Sequence, residues 1–389
     1  AADGIVLNHY YTHPVSCPSR AALLTGVHPI HTGLQNFVII NQSPTGLPLH
    51  YKLLPQYLKQ HNYATHIVGK WHLGYARREF TPTYRGFDSH VGFWGYNKQY
   101  FNHTACDTWP DECGLDFRHN MTLTTDGTGV YSTHYFTDRC LHIIDGHNST
   151  HQPLFLYMPY QALHAARAKH TVAPQNYIDM FAYIASDKRR RLAAMAYSVD
   201  ESVGLIVDRL HSKGMLDNSI IVFASDNGAH PDGNGGSNWP FRGNKTELFE
   251  GALRVPAFIW SPLLRKSGYV SEALIDVSDI MPTILDAIGD RHLLSHETHI
   301  YGVSQWDTMS HNGLPVRSEI IHNIDPVDNM SAIRWHDWKL VQSSIPALSR
   351  VPLDKRAHPR FHNNTWTNWL DDDLDYQLYR DYKHDKDEF

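Results

Sequence analysis

Short apolar runs alternate with helix-like patterns over most of the chain. Runs rich in β-branched or aromatic residues predict buried strands at residues 65–68, 153–158 and 219–224. Between the last two runs, apolar side chains recur every three or four positions from residue 192 to residue 210, which predicts an amphipathic helix over the sheet. Residues 273–288 predict a further helix that ends at Gly289. This alternation is typical of an α/β protein with a largely parallel sheet.

The pattern changes near residue 310. Residues 319–324 and 332–340 indicate antiparallel strands of a second, smaller unit. We therefore predict a large domain over residues 1–310 and a small C-terminal α+β domain over residues 311–389. The end of the chain, residues 371–389, is charged and rich in tyrosine, and its pattern predicts no long helix.

Composition narrows the function classes. The 389 residues are 42% apolar and 19% charged, which allows a substantial core and excludes disordered or collagen-like chains. The longest apolar runs are much shorter than the roughly 18 residues that cross a bilayer, so we expect no membrane span. A net charge of −6 gives no support to nucleic-acid binding. The 28 histidines would make the chain cationic in an acidic compartment, a weak indication of an anionic substrate.

Two features favour an oxidising, secretory route. Cys106 and Cys113 flank a short polar segment, and this spacing suits a disulfide-closed loop better than a zinc site. Acceptor sequences for N-glycosylation start at Asn41, Asn102, Asn120, Asn148, Asn244, Asn329 and Asn363. The first residues given lack the basic start and apolar stretch of a signal peptide.

One segment predicts the start of a short helix beside candidate chemistry. Pro18 suits a first helical turn and Gly26 suits a C-terminal cap, so Ser16 or Cys17 would lie at the helix N-terminus. Such a terminus attracts anions, and Arg20 adds a fixed cation. On these residues alone, a sulfate or phosphate site and an ordinary capped helix both remain open.

The same segment resembles the signature of the sulfatase family. Ser16-Cys17-Pro18-Ser19-Arg20, followed by Leu24-Thr25-Gly26, matches the order Cys-x-Pro-Ser-Arg and Leu-Thr-Gly. The resemblance extends through Gly69-Lys70-Trp71-His72-Leu73-Gly74, Arg85-Gly86-Phe87-Asp88, a strand ending near His164, Ser225-Asp226-Asn227-Gly228 and Arg242-Gly243-Asn244-Lys245. Similarity to the arylsulfatase B branch of the family, the N-acetylgalactosamine-4-sulfatases, is carried by His31-Thr32-Gly33-Leu34-Gln35, Asn238-Trp239-Pro240 and His322-Asn323-Ile324-Asp325-Pro326.

The resemblance implies a fold, a reaction and a location. The fold would be alkaline-phosphatase-like, with a large mixed, mainly parallel sheet flanked by helices and a smaller antiparallel-sheet domain at the C-terminus. The reaction would be hydrolysis of sulfuric esters, either aryl sulfates or sulfated glycans such as N-acetylgalactosamine 4-sulfate. The location would be lysosomal or secreted.

The resemblance also implies roles for individual residues. A formylglycine at position 16, made by the formylglycine-generating enzyme, would supply the nucleophile, which Arg20 would hold. One calcium ion would bind at Asp226 and Asn227, whose oxygens suit it. The cations that neutralise the sulfate ester would be Lys70, His72 and Lys245, and His164 would protonate the leaving alcohol.

The chain departs from the family pattern in three places. Ser16 stands where the family's modified Cys is usual, and Cys17 occupies a variable position. The family's first strand, with its pair of metal-binding aspartates, is expected to precede this chain, and Asp3 does not match it. An acceptor sequence at Asn244 includes Lys245, so we expect that sequon to stay unused.

These departures keep two alternatives open. A catalytically impaired pseudo-sulfatase would bind sulfated glycans without turnover, because it lacks a matured nucleophile and a full calcium shell. In the other alternative, an unmodified Ser16 attacks phosphate esters as an alkoxide, which needs metal ions to activate the hydroxyl.

Overall fold

The computed structural model describes residues 1–106, 113–166, 171–294, 297, 299–342, 360–362 and 365–367. The strands are β1 Ile5–Tyr11, β2 Ala64–Lys70, β3 Ser89–Phe93, β4 Thr104–Cys106, β5 Cys113–Leu115, β6 Arg118–His119, β7 Thr122–Leu123, β8 Leu154–Tyr157, β9 Ile221–Ala224, β10 Ala257–Trp260, β11 Tyr269–Asp276, β12 Glu319–Asp325, β13 Met330–Trp335, β14 Trp338–Gln342, β15 Arg360–His362 and β16 Thr365–Thr367.

The α-helices are α1 Ser16–Thr25, α2 Pro29–Thr32, α3 Leu54–Leu58, α4 Ser132–Gly146, α5 Gln175–Met180, α6 Asp187–Ser212, α7 Pro231–Asn234, α8 Glu250–Leu253, α9 Ile280–Ala287 and α10 Trp306–His311. Single turns of 3-10 helix lie at Lys59–His61, Arg78–Phe80, Pro82–Tyr84, Leu216–Asn218, Val277–Asp279 and Arg291–Leu294.

Mixed sheets form the large body of the protein. A five-stranded sheet has the order β7-β6-β3-β2-β8, in which β2 is parallel to both β3 and β8. A four-stranded sheet has the order β11-β1-β10-β9, in which β1 is parallel to β11 and β10 is antiparallel to both neighbours. Strands β12, β13 and β14 form a smaller antiparallel sheet. The predicted α/β class with a small antiparallel unit is confirmed, whereas the domain limits at 310 and 311 stay a prediction.

Helix α1 is held in place by its apolar contacts. Cys17, Ala21 and Leu24 of this helix are fully buried in one cluster with Ile67 of β2 and Leu285 of α9. Burial of each large apolar side chain stabilises the fold by about 1.5–3 kcal/mol. The helix that begins the candidate site is therefore fixed against both β2 and α9.

Most of the predicted elements form where the sequence places them. The run 65–68 lies in β2, 153–158 contains β8, 219–224 contains β9, 192–210 lies in α6, 319–324 lies in β12, and 332–340 spans parts of β13 and β14. The predicted short helix beginning near Ser16 is α1, and Gly26 caps it in the left-handed region with φ of 67°. The disulfide between Cys106 and Cys113 is formed and joins β4 to β5.

The prediction of helix throughout residues 273–288 is wrong for its first part. Residues Ala273 to Asp276 belong to β11, and the helix α9 starts only at Ile280. Apolar residues in this stretch fit a helical period, but β1 offers a parallel partner with which β11 pairs along its length. Sheet pairing therefore overrides the local pattern. The predicted character of residues 371–389 lies outside the described residues.

None of the described helices combines the length and the hydropathy that a bilayer span requires.

Candidate active site

Polar residues gather where strands of the two mixed sheets end. Strand β1 leads into α1 and Ser16, β2 ends at Lys70, and β9 is followed by Asp226 and Asn227. Strands β1 and β9 are both antiparallel to β10, so their carboxyl ends lie at the same edge of the sheet. Arg20 of α1 joins this edge to β2, because its Nη1 donates to the carbonyl oxygen of Lys70 at 3.1 Å. The carboxyl ends of strands are a common place for ligand sites in α/β proteins.

Ser16 is the first residue of α1 and is only 2% exposed. Its Oγ donates a hydrogen bond to Oδ1 of Asn227 at 3.2 Å. Val15, which precedes the helix, makes no capping hydrogen bond with its side chain. The partial positive charge of the helix N-terminus therefore acts on the surroundings of Ser16 and favours an anion there.

Arg20 and Asp226 form the best-defined ion pair of the site. Arg20 donates to Oδ2 of Asp226 from Nε at 3.1 Å and from Nη2 at 2.8 Å. Burial raises the pKa of the Asp226 carboxyl, but Arg20, Lys70 and Lys245 together lower it by a larger amount. The resulting pKa lies well below the usual range. Asp226 therefore stays ionised and fixes the guanidinium in place.

Lys70 and Lys245 carry ammonium groups that have no hydrogen-bond or ion-pair partner among the described residues. Lys70 is 2% exposed, and burial together with the nearby charge of Arg20 holds its pKa well below the ordinary value. The pKa of Lys245 is also lowered by burial, and Asp226 opposes this shift in part. With Arg20 included, the cations around Asp226 outnumber the carboxylates, so the site has room for a further negative charge.

His72 contributes a ring nitrogen without a partner. Its Nε2 lies 3.0 Å from the carbonyl oxygen of Ile39, which can only accept, so Nε2 carries the proton. Its Nδ1 is buried and makes no hydrogen bond. The backbone of His72 has φ of 61°, a left-handed conformation that is costly for a non-glycine residue. Burial and the charges of Lys70 and Arg20 lower the pKa of this imidazole.

His164 does not end a strand. Strand β8 stops at Tyr157, and His164 lies in a turn after it, because residues beyond Tyr157 no longer pair with β2. Its Nδ1 lies 2.8 Å from the carbonyl oxygen of Ala165, which leaves Nε2 for proton exchange with a ligand. Burial, Lys245 and Lys70 lower the pKa of His164, so it belongs to the same electrostatic group.

Asp226 and Asn227 supply oxygen atoms suited to calcium but do not by themselves fit a calcium shell. Oδ2 of Asp226 receives two hydrogen bonds from Arg20, and Oδ1 of Asn227 receives one from Ser16. No group of three or more histidine, cysteine or acidic side chains within the described ranges could hold a metal ion. Calcium takes about six to eight oxygen ligands, which exceeds what these two residues offer.

Sequence reasoning missed the backbone features that shape the site. Gly69, with φ of 131°, brings β2 so close to Pro159 that a Cβ atom would lie 2.1 Å from its carbonyl oxygen. Thr246, with φ of 82°, donates its N–H to the carbonyl oxygen of Pro14 at 2.9 Å and so ties the Lys245 loop to the segment before α1. A glycine directly before Lys70 was the available signal for the first feature, whereas nothing local marks the second.

Cys17 points away from the site. Its Sγ contacts the carbonyl oxygen of Phe37 and the N–H of Ile39, and the residue is fully buried. Burial raises the pKa of the thiol to about 11, so it stays protonated. Ser16, and not Cys17, is therefore the residue of this pair that faces Asn227.

Comparison with known proteins gives the family. The sequence model of the Sulfatase family matches residues 1–290. Arylsulfatase J of Mus musculus is 37% identical over 387 residues, which are 95% of this chain and 63% of that protein. N-acetylgalactosamine-6-sulfatase of Sus scrofa is 34% identical over 306 residues, or 74% of this chain and 56% of that protein. The chain thus spans less than two thirds of the length of these relatives.

Solved structures give the fold. Ps i-CgsB, crystallised in complex with k-i-k-neocarrahexaose, has a TM-score of 0.78 and 28% identity, and the match covers 88% of this chain and 77% of that one. The PsFucS1 sulfatase from Pseudoalteromonas sp. has a TM-score of 0.70 and 23% identity over 87% of this chain and 70% of that one. These neighbours confirm the alkaline-phosphatase-like fold. On the family match and the motif order together, the chain belongs to the sulfatase family.

Proposed function

We propose that the protein removes sulfate from sulfated glycans such as N-acetylgalactosamine 4-sulfate, or from small aryl sulfates. Membership of the sulfatase family supports sulfate ester hydrolysis in general. The observation that carries the proposal is the pair of unpartnered ammonium groups, Lys70 and Lys245, in the electrostatic group of Arg20 and Asp226. A sulfate ester brings the negative charge that this group of cations lacks.

Ser16 is the residue on which the nucleophile would form. A formylglycine at this position would supply the nucleophile for cleavage of the sulfate ester. The surroundings of Ser16 fit such a group, because the helix N-terminus and Arg20 both favour a negatively charged oxygen. Asn227 accepts a hydrogen bond from position 16 and fixes its direction. Asp226 fixes Arg20 in turn.

Lys70 and Lys245 would bind the sulfate oxygens, and His72 would donate to them from Nδ1 once that atom is protonated. Lys70 is buried and Lys245 is half-buried, so charge stabilisation at these groups is stronger than in open water. Binding of a sulfate raises the pKa of each lysine toward its ordinary value, because the anion favours the charged form. Sulfate binding and protonation of these lysines therefore favour each other.

His164 would deliver the proton to the leaving alcohol. The contact of Nδ1 with Ala165 sets the orientation of the ring and leaves Nε2 to act on the substrate. Its lowered pKa makes the neutral form dominant in the free protein. Negative charge from the bound sulfate raises this pKa and gives the ring the proton it donates.

Cofactor, partner and location remain parts of the proposal. The family generally uses calcium and formylglycine, and Asp226 and Asn227 are the residues of this chain that would contribute to a calcium shell. Maturation of Ser16 would require the formylglycine-generating enzyme. A lysosomal or secreted glycoprotein is supported by the disulfide between Cys106 and Cys113 and by the acceptor sequences.

A pseudo-sulfatase that binds sulfated glycans without turnover is the second candidate. Two observations favour it, namely the serine at position 16 and the two oxygen donors that do not complete a calcium shell. Binding to sulfated glycans that needs neither calcium nor a modified Ser16 would support it. Calcium-dependent turnover would exclude it.

The experiment combines mass spectrometry with sulfate release. The peptide that ends at Arg20 is analysed for loss of two hydrogens at Ser16, and the same preparation is assayed on 4-nitrophenyl sulfate and N-acetylgalactosamine 4-sulfate. We expect Ser16→Ala to abolish release and the neighbouring Cys17→Ala to retain it, since Cys17 points away from the site. A protein with modified Ser16 that releases no sulfate from either ester would overturn the proposal.

A further inference from the structure

A second buried lysine lies outside the candidate active site. Lys98 is 1% exposed, and its Nζ lies 2.7 Å from Nδ1 of His103 and 2.8 Å from Oγ of Ser132. The rings of Phe93, Phe117 and Phe136 surround the ammonium group at 5.0, 5.1 and 5.5 Å from their centroids. Burial in this apolar shell lowers the pKa of Lys98.

His103 is arranged to accept from Lys98. Its Nε2 lies 2.7 Å from the carbonyl oxygen of Gly127, so Nε2 carries the proton and Nδ1 is the acceptor. Burial and Lys98 lower the pKa of His103 to about 4, which keeps the ring neutral. Lys98 therefore has defined hydrogen-bond partners, and the carboxylate of Asp116 acts on it through its charge alone.

Ser132 and Gln161 extend the hydrogen-bond network that begins at Lys98. The hydroxyl of Ser132 lies 2.8 Å from Oε1 of Gln161 and 3.0 Å from the carbonyl oxygen of Tyr100. Both oxygens are acceptors for the single hydroxyl proton. The side-chain amide of Gln161 donates back to the carbonyl oxygen of Lys98 at 2.5 Å. Gln161 is 3% exposed, so these contacts replace water around its amide.

The far end of these contacts holds His164. The N–H of His164 donates to the carbonyl oxygen of Gln161 at 3.0 Å. Its own carbonyl oxygen accepts from the hydroxyl of Tyr100 at 2.7 Å. The backbone N–H and carbonyl groups of His164 are thus held by Gln161 and Tyr100, and each of these two residues also accepts a hydrogen bond from Ser132.

We propose that Lys98 is a positioning residue for His164, acting through Ser132 and Gln161. The inference rests on the proposed function, in which His164 protonates the leaving alcohol. Lys98 joins His103 to Ser132 at the start of α4, and Gln161 contacts both Ser132 and the backbone of Lys98. Without the Lys98 side chain, Ser132 and His103 would each lose a buried partner. A displaced His164 would protonate a poor leaving group less well, while the cations that bind sulfate stay in place.

The leaving group provides the test. 4-Nitrophenolate leaves without a proton, whereas a sugar alkoxide needs one. We expect Lys98→Met and Ser132→Ala to lower kcat/KM on a sugar sulfate by about 10-fold or more and on 4-nitrophenyl sulfate by less than about 3-fold. Ser310→Ala is the matched control, because that hydroxyl is 3% exposed and accepts from the N–H of Arg265 in a different part of the fold.

A double variant separates positioning from general loss of structure. If Lys98 acts through His164, Lys98→Met added to His164→Ala should not change the ratio of the two kcat/KM values further. A proportional loss on both esters, or a further change of the ratio in the double variant, would overturn the inference. If His164→Ala leaves the ratio unchanged, the acid role in the proposed function fails as well.

Hydrogen exchange gives a readout that does not need activity. Amides in residues 161–166 should exchange faster in Lys98→Met and Ser132→Ala than in the wild type or in Ser310→Ala. Unchanged exchange in this segment would overturn the inference even if the wild type releases no sulfate.

Discussion

Lys70 and Lys98 are two buried lysines whose surroundings differ. Each is at most 2% exposed, and burial lowers the pKa of both. Lys98 has a ring nitrogen, a hydroxyl and three aromatic faces around its ammonium group. Lys70 has no such partner in the described structure, and its strongest charged neighbour is the like charge of Arg20. A low pKa alone therefore does not distinguish the two lysines, whereas the presence or absence of partners does.

The difference has an energetic consequence. An uncompensated buried charge destabilises the free protein, and a ligand of opposite charge removes that cost when it binds. A buried cation with good partners stabilises the fold and has nothing to gain from a ligand. The site around Lys70 is thus suited to anion binding, and the Lys98 cluster is suited to holding backbone in place.

The largest expected effect comes from substitution of Lys70, which should lower activity without lowering stability. Lys70→Met should lower kcat/KM for sulfate esters by roughly 10²–10³-fold or more, since a charge on the transferred group is lost. Its free energy of unfolding should stay equal or rise, because an unpartnered cation is removed. Steady-state kinetics and urea unfolding of the same preparations check both results.

Lys98→Met is the counterpart of that variant. We expect it to lower the free energy of unfolding by about 1–3 kcal/mol, because His103 and Ser132 lose a buried partner. Its effect on 4-nitrophenyl sulfate should remain small. If Lys70→Met destabilises the protein as much as Lys98→Met does, the distinction between the two lysines is wrong.

A smaller effect concerns acid sensitivity away from the site. His13, His28 and His322 are buried where the loop before α1 meets β12. The rings of Tyr11 and Tyr301 lie against them. The charged groups that act on them are Asp276, Arg334 and Lys339. Burial lowers the pKa of His13 to about 4 and that of His28 to about 3, and it lowers the pKa of His322 as well. The folded protein therefore binds fewer protons than the unfolded chain between pH 6.5 and the folded pKa values.

Stability should fall as the pH decreases through that window. Each of these histidines contributes a slope of up to about 1.4 kcal/mol per pH unit. His322→Phe should make the slope shallower, since both ring nitrogens of His322 lack partners and a phenyl ring keeps the contact with Tyr11. Urea unfolding at several pH values from 4 to 7 measures the slopes, and equal slopes for wild type and variant would contradict the assignment.

The smallest expected effect concerns glycosylation beside Lys245. Asn244 is half-buried, and its N–H donates to Glu247 at 3.0 Å. Asn148 is exposed, and its side chain accepts from the N–H of Thr150 at 3.1 Å. Glycopeptide mapping should find a glycan on Asn148 and none on Asn244. Asn148→Gln should lose that glycan without a change in activity, and a glycan on Asn244 would contradict the open access of substrate to Lys245.

Much of the fold and of the site follows from short, local signals. Pro18 and Gly26 mark the two ends of α1 because one suits a first helical turn and the other a left-handed cap. Lys70 and Asp226 could be assigned because each stands at the end of, or shortly after, an apolar strand. The resemblance to sulfatases then grouped them before any distance was known.

Other features depend on contacts between distant residues. The start of β11 resembles a helix in sequence and becomes a strand because β1 lies beside it. Lys98 stands in a stretch for which the sequence analysis makes no prediction, and the rings of Phe93, Phe117 and Phe136 surround it only in the folded protein. Local patterns carry no information on such partners, so sequence reasoning proposed residues for the site and missed Lys98 and the contacts that link it to His164.

The central claim is that Lys70 belongs to an unfilled anion site whereas Lys98 is already satisfied. Titration calorimetry with inorganic sulfate tests it directly at several pH values. We predict that the wild type and Lys98→Met bind sulfate more tightly at lower pH, and that Lys70→Met loses most of this binding. Equal binding by all three proteins would contradict the account.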